Sequence, residues 1–260
     1  MTLGVDRAGS GPPLVLIHGL GADRHVWKPV FERLAAEREV FAIDMPGFGQ
    51  TAALNHGSTP SPTALARAVA DGLAELGLDR PHVAGNSLGG WVALELALLG
   101  AVRSVTAIAP AGLWPRALGP KPSVARRVGR AALPAIPYLM KSSIARRLAL
   151  TGTVGHPGRV PPEDAAALIR AYVEAPGFKA VNSAMRSLRF ERLDDVFRAE
   201  LAERGWIPLT FGWPSRDRLV ARPRRLPAGS RSVVLEGCGH MPMWDDPGLV
   251  ADLLLEGSST

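Results

Sequence analysis

Short apolar runs alternate with helix-periodic segments through the first half of the chain. The strand-like runs cover residues 12–19, 40–43, 82–85 and 102–109, and the helix-like segments cover 27–37, 62–77 and 89–100. Continuous apolar strands are typical of parallel sheets covered by helices on both faces, because such strands have no solvent-facing side. The pattern therefore predicts an α/β fold in which helices flank a mostly parallel, twisted sheet.

The alternation stops at Pro110, where the composition of the chain changes. Residues 112–188 are rich in proline and arginine, show amphipathic helix patterns at 163–174 and 178–190, and contain no buried strand. Strand-like sequence then resumes. We therefore predict that residues 112–188 form a helical cap, or lid, inserted into an α/β domain.

The remainder of that domain follows the predicted insert. Strand-like runs cover 206–213 and 232–236, and a closing helix is predicted for residues 246–255. The predicted α/β core therefore comprises residues 1–111 and 189–260.

Positive charge is concentrated in the predicted insert. Residues 113–190 contain 13 lysines and arginines against 3 acidic residues, a net charge of +10, whereas the rest of the chain carries −4. No nucleic-acid-binding motif accompanies this charge and the aromatic residues are not interleaved with it, so we do not expect nucleic-acid binding. Two interpretations stay open: a solvated face, or a surface that attracts anionic substrates or an acidic partner surface.

Other classes of protein are excluded by the sequence. No apolar run reaches the about 18 residues of a transmembrane helix, and the charged Asp6 and Arg7 interrupt the region where a secretory signal is apolar. We therefore expect a cytoplasmic protein. Cys238 is the single cysteine and no cluster of cysteine and histidine has metal-ligand spacing, so neither a disulfide, a metal nor another cofactor is expected.

Residues Gly85-Asn86-Ser87-Leu88-Gly89 match the pattern G-x-S-x-G between a predicted strand and a predicted helix. A serine on such a tight turn adopts a strained backbone conformation that exposes its hydroxyl, and the glycines allow neighbouring elements to approach. The following helix directs N–H groups and the positive end of its dipole towards an oxyanion at the serine. Ser87 is therefore the candidate nucleophile.

A serine nucleophile requires a base, ordinarily an imidazole oriented by a carboxylate. His240 follows a late apolar strand in a Gly-Cys-Gly-His turn, whereas His25, His56, His82 and His156 lack this context and are interpreted as structural or exposed. Asp217 follows the preceding predicted strand, which gives the chain order Ser, Asp, His. The competing acids Asp245 and Asp246 open the last predicted helix, where a capping role is expected.

Backbone N–H groups are the candidate donors of an oxyanion hole. His18-Gly19-Leu20-Gly21 follows the first predicted strand, and its glycines would let the backbone approach a substrate. The N–H of Leu88 directly follows the nucleophile. We predict Leu20 N–H and Leu88 N–H as the two donors.

Five segments in this order resemble the α/β-hydrolase superfamily over essentially the whole chain. They are residues 18–21, 41–49, 85–90, 213–220 and 237–247. The resemblance implies an eight-stranded sheet with a cap after the sixth strand, the first strand being absent here because Met1 lies close to the second. It assigns Ser87, Asp217 and His240 as nucleophile, acid and base, and Leu20 and Leu88 as oxyanion donors. Asp44 lies in a turn that resembles a family turn, and its role is interpreted as structural.

Some branches of the superfamily fit the sequence less well. Haloalkane dehalogenases and epoxide hydrolases have aspartate where this chain has Ser87, and proline iminopeptidases have tryptophan where it has Leu88. Asn86 and Gly90 resemble the carbon–carbon hydrolases of ring-cleavage pathways. Those enzymes place tryptophan directly after the catalytic histidine, however, whereas Met241 stands there in this chain.

The resulting hypothesis is a serine hydrolase that cleaves small to medium carboxylic esters. Its partner would be a small-molecule ester or related acyl substrate, with the basic insert favouring an anionic one. Carbon–carbon hydrolysis of a vinylogous diketo acid and a non-catalytic ligand receptor are the alternatives, and related acyl-transfer reactions share the machinery. Candidate pocket residues, which could equally be core, are Trp91, Trp114, Met241, Met243 and Trp244.

Overall fold

The computed structural model describes residues 1–55, 57–113, 124–188 and 207–259 of the chain. In this part of the chain, seven strands form one sheet in the order β1-β3-β2-β4-β5-β6-β7. Only β1 is antiparallel to its neighbour, β3; the other adjacent pairs are parallel. The strands are β1 (Val5–Ala8), β2 (Pro13–Ile17), β3 (Glu39–Ile43), β4 (His82–Asn86), β5 (Ser104–Ile108), β6 (Leu209–Pro214) and β7 (Arg231–Leu235). The predicted mostly parallel α/β sheet is confirmed.

The sequence pattern does not predict β1. Its four residues include the charged Asp6 and Arg7, so it lacks the apolar run that identifies the other strands. The strand forms because Val5 pairs with Ile43 and Ala8 with Val40 at the edge of the sheet. Charged residues are common on edge strands, where they discourage pairing with another chain.

Four helices belong to the core: the first, third and last of them contact the sheet, and the second packs on the third. They are α1 (Lys28–Ala35), α2 (Pro62–Glu75), α3 (Leu88–Leu98) and the closing helix α9 (Pro247–Gly257). The Ser61 side chain caps α2 by accepting a hydrogen bond from Ala64 N, and Pro62 occupies the first turn, where its missing N–H costs nothing. Gly77, predicted to follow the end of this helix, has φ +76°, which suits glycine.

Between β5 and β6 the described chain is helical. The helices are α4 (Val124–Ala131), α5 (Ile136–Leu139), α6 (Ser143–Leu150), α7 (Pro162–Glu174) and α8 (Phe178–Ser187). The last two correspond to the two amphipathic patterns seen in the sequence. None of the described helices has both the length and the apolar character needed to cross a bilayer.

This helical segment contacts the core directly. Gly177 N donates to Gly47 O (2.9 Å), and Lys28 Nζ pairs with Asp164 Oδ1 (2.6 Å). Whether residues 112–188 constitute a separate lid stays a prediction, because both predicted boundaries adjoin residues that lie outside the described ranges.

The parallel strands carry their carboxyl ends to one edge of the sheet. Chain segments that leave β2, β4, β6 and β7 at this edge include Gly19, Ser87, Asp217 and His240, respectively. In open α/β sheets, ligands bind beyond the carboxyl ends of the strands. The topology therefore directs the search for a site to this edge.

Candidate active site

Ser87 connects β4 to α3 in a strained conformation. Its φ and ψ are 57° and −116°, and it is one of three non-glycine residues with positive φ in the described chain. Ser87 N donates to Ile108 O (2.9 Å), and Ser87 O accepts from Trp91 N (3.1 Å) and Ala111 N (2.9 Å). Such strain costs about 1–3 kcal/mol and persists only when surrounding contacts enforce it. These three hydrogen bonds provide that enforcement.

Glycine is required on both sides of this turn. A Cβ at Gly85 would overlap the carbonyl oxygen of Gly89, and a Cβ at Gly89 would overlap the carbonyl oxygen of Ile17. The strand and helix therefore approach so closely that only glycine fits. This is the steric reason for the G-x-S-x-G spacing found in the sequence.

Asp217 and His240 form a buried hydrogen-bonded pair. His240 Nδ1 lies 2.7 Å from Asp217 Oδ2, and the two side chains are 9% and 3% exposed. The other carboxylate oxygen accepts from Leu219 N (2.7 Å) and Val220 N (3.0 Å). With Oδ1 occupied by two N–H donors, Oδ2 is the oxygen that accepts the Nδ1 proton of the imidazole. This arrangement leaves Nε2 of His240 as the proton acceptor.

The Asn86 side chain joins the histidine loop to the serine turn. Its amide nitrogen donates to His240 O (3.0 Å) and to Ile108 O (3.3 Å). Asn86 directly precedes Ser87, so these bonds hold the backbone of His240 against the serine turn. The sequence indicated Asn86 only through a family resemblance. Its hydrogen bonds to His240 and Ile108 could not be predicted from a local pattern.

The two segments that carry the predicted oxyanion donors both adjoin Ser87. Leu88 is the first residue of α3, and a Cβ on Gly19 would lie only 3.2 Å from Ser87 Cβ, which brings the Gly19-Leu20 turn to the serine. Within the described residues, no acceptor is found for Leu20 N–H or Leu88 N–H. Among the described residues, therefore, no acceptor competes with a substrate oxyanion for these two N–H groups.

His18 fixes the loop that carries Leu20. Its Nε2 accepts from Met45 N (3.0 Å), so the ring proton is on Nδ1, which donates to Gly19 O (2.8 Å). Burial lowers the pKa of His18 and keeps the ring neutral in this tautomer. His18 thus ties the end of β2 to the residue after Asp44.

Asp44 is fully buried and holds the same region together. Its carboxylate accepts from Arg24 N (2.8 Å) and Gln50 N (2.9 Å) and pairs with the Arg24 guanidinium. These contacts join the loop after β2 to the turn after β3, which agrees with the structural role expected from the sequence.

The candidate pocket residues lie in different environments. Trp91 is buried in α3 and donates to Glu95 Oε1 (2.9 Å). Trp244 is buried, and its indole N–H has no partner among the described residues. Met241 is half-buried and Met243 fully buried, whereas Trp114 lies outside the described residues. Their role in binding an acyl group stays a prediction.

The sequence predicted that Asp245 and Asp246 both cap the last helix. Asp246 does cap α9, by accepting from Leu249 N (2.9 Å), but the prediction was wrong for Asp245. Asp245 points away from that helix and accepts from Gly155 N (2.8 Å), His156 N (2.6 Å) and Gly239 N (2.8 Å). Gly155 is 90 residues distant in sequence, so no local pattern could reveal this contact.

A sheet of this topology with a strained serine at its carboxyl edge defines an α/β-type hydrolase scaffold. The model of the Alpha/beta hydrolase family matches residues 14–253, and the chain belongs to this family.

Two relatives of this chain are named as hydrolases of different kinds. It is 32% identical over 195 residues to "Epoxide hydrolase EphH" of Mycobacterium tuberculosis, covering 70% of this chain and 87% of that protein. It is also 32% identical over 257 residues to the pimeloyl-[acyl-carrier protein] methyl ester esterase of Aeromonas salmonicida, covering 95% of both chains. With the family match, these similarities identify the chain as a hydrolase.

Solved structures support the same fold. A bacterial membrane phospholipase A is similar with a TM-score of 0.70 and 27% identity, covering 98% of this chain and 83% of that one. An esterase from Thermogutta terrifontis is similar with a TM-score of 0.69 and 22% identity, covering 98% and 92% of the two chains.

Proposed function

We propose that this protein is a serine hydrolase that cleaves carboxylic esters of small to medium size through an acyl-enzyme. Ser87 is the nucleophile, His240 the general base and Asp217 the residue that orients the imidazole. The observation that carries the proposal is the buried 2.7 Å contact between His240 and Asp217, on a loop that Asn86 holds against the strained serine.

In the proposed reaction, Ser87 Oγ attacks the ester carbonyl carbon while His240 Nε2 takes the hydroxyl proton. The tetrahedral oxyanion is bound by Leu20 N–H and Leu88 N–H, which have no acceptor in the described chain. His240 then gives the proton to the departing alcohol, leaving Ser87 acylated. Water, deprotonated by His240, then attacks the acyl carbon, and His240 returns that proton to Ser87 Oγ as the bond between Oγ and the acyl group breaks and the acid leaves.

Two observations support the substrate class. A relative that matches nearly the whole chain is named as a methyl ester esterase, and the basic insert suits a substrate that carries negative charge. We propose that residues 112–188 act as a lid over the acyl group, and that Trp91, Met241 and Trp244 contribute to its pocket.

The central experiment compares wild type with Ser87→Ala on p-nitrophenyl esters and with a labelled fluorophosphonate. Wild type should turn over the esters and become labelled, whereas the variant should do neither while keeping its circular dichroism spectrum. Unchanged ester turnover in Ser87→Ala would refute the assignment of the nucleophile. A folded wild type that is not labelled would favour the ligand-receptor alternative.

Carbon–carbon hydrolysis is the second candidate, because Asn86 and Gly90 resemble that branch and the basic insert could hold a substrate carboxylate. Turnover of a ring-cleavage product should be compared with that of simple esters at matched concentrations. A preference for esters by orders of magnitude removes this candidate. Including a simple epoxide in the panel tests the activity named for another relative, which the serine at position 87 disfavours.

A further inference from the structure

One turn of the insert is packed on the loop that carries His240. This clasp segment, residues 151–156, follows α6 and contains a bridge between Thr151 and Val154. Met241 N donates to Thr153 O (2.7 Å). The insert therefore contacts the backbone of the residue directly after the candidate base.

Glycine permits a still closer approach beside this bond. A Cβ at Gly155 would lie 2.7 Å from Gly237 O and 2.9 Å from Gly239 N, and a Cβ at Gly239 would lie 2.5 Å from Gly155 N. These separations are too short for any larger residue. The two backbones thus meet with no side chain of their own between them, immediately before His240.

Asp245 joins the two backbones at this point. Its carboxyl group is 1% exposed. One oxygen accepts from both Gly155 N and Gly239 N (2.8 Å each), and the other accepts from His156 N (2.6 Å). His156 Nδ1 also lies 3.3 Å from Asp245, and its Nε2 lies 3.3 Å from the guanidinium of Arg216. A buried carboxylate with several donors binds its partners strongly, because hydrogen bonds to an ionised group exceed those between neutral groups.

We propose that Asp245 is a positioning residue for the hydrolytic reaction, fixing the backbone of Gly239 and hence the imidazole of His240 against the insert's clasp segment. The inference rests on the proposed role of His240. It also implies that the clasp segment is a fixed wall of the active site, so that any opening of the lid takes place elsewhere in the insert.

Asp245→Asn tests the carboxylate with almost no change in shape. An amide has only one accepting oxygen, so in either orientation its NH2 group faces at least one backbone N–H that the carboxylate now binds. Asp246→Asn is the matched control: it removes the same charge one residue away, and asparagine caps a helix as well as aspartate does.

We expect kcat for a p-nitrophenyl ester to fall about tenfold to hundredfold in Asp245→Asn with KM within about twofold, since small misplacements of a catalytic group cost this much. The rate of fluorophosphonate labelling should fall by the same factor. The low-field NMR signal of the His240 Nδ1 proton should shift or broaden. Asp246→Asn should match wild type in all three measurements.

A second variant approaches the same contact from the insert. Gly155→Ala should reduce kcat and labelling in the same way, whereas Gly158→Ala, where a Cβ would meet only the Arg147 side chain at 3.3 Å, should not. If Asp245→Asn does not fold, the comparison of Gly155→Ala with Gly158→Ala tests the proposed positioning role instead.

The outcomes separate the two proposals. If wild type itself is not labelled, the proposed serine mechanism fails. If wild type is labelled but Asp245→Asn and Gly155→Ala keep wild-type kcat and an unchanged His240 signal, Asp245 is only structural and the present inference is overturned.

Discussion

Replacing Asp217 by asparagine should convert His240 to the wrong tautomer. Asp217 Oδ1 accepts from Leu219 N and Val220 N, whereas Oδ2 contacts His240 Nδ1. An asparagine oxygen would remain on the two backbone donors, which places its NH2 group against His240 Nδ1. That nitrogen must then accept a hydrogen bond, so the ring proton moves to Nε2 and the imidazole can no longer take the proton of Ser87.

The expected loss is about ten-thousand-fold in kcat, equivalent to about 5.4 kcal/mol of transition-state stabilisation. Steady-state hydrolysis of a p-nitrophenyl ester measures it, and urea unfolding checks that the variant is folded. Asp252→Asn is a charge-matched control, because that residue is half exposed and pairs only at the surface with Arg33. A folded Asp217→Asn variant with more than a tenth of wild-type kcat would refute this reasoning.

Three further predictions concern stability and reactivity. Arg24→Met should lower the free energy of unfolding in urea by about 3–5 kcal/mol, because it leaves buried Asp44 without its cation; adding Asp44→Asn should restore part of the loss, and simple additivity would contradict this. Burial lowers the pKa of His82 to about 4. The unfolded chain therefore binds a proton that the folded chain does not, and the free energy of unfolding should decline by up to about 3 kcal/mol as pH falls from 6.5 to 4; His82→Asn should reduce that decline, and an equal decline would argue against it. Burial raises the pKa of Cys238 to about 12, so a thiol-reactive disulfide should modify it at pH 8 only after unfolding; rapid modification of the native protein would show otherwise.

The parallel strands of the core could be predicted because their apolar sequences indicate burial on both faces. Every residue of β4 and β5 is buried, so no alternation is needed to recognise them. β1 could not be recognised from the sequence, because its own composition does not indicate a strand. It is a strand because its backbone pairs with β3. Helices α4, α5 and α6 are short, so their patterns span too few turns to be distinguished individually.

The candidate site likewise contains residues that the sequence could indicate and contacts that it could not. Ser87 is marked by a local steric requirement, two glycines at fixed spacing, and that requirement is visible in the sequence. Asp217 and His240 could be proposed from chain order and from their places after strands, and the structure brings them within 2.7 Å. The contacts of Asn86 with His240 and of Asp245 with Gly155 join residues 154 and 90 positions apart. Such contacts depend on the completed fold, so no local pattern encodes them.

These long-range contacts occur beside β7, the least buried of the parallel strands. Among the described strands, β7 lies at the edge of the sheet and pairs only with β6, and four of its five residues are exposed or half-buried. Burial of β7 cannot by itself fix the loop that follows it, whereas the serine turn is held between buried strands β2 and β5. The histidine loop is instead attached by hydrogen bonds to Asn86 on one side and to the clasp segment on the other. Placement of the imidazole therefore depends on the clasp segment as well as on the sheet, and mutations in the clasp segment should reduce ester hydrolysis more than they reduce the stability of the core.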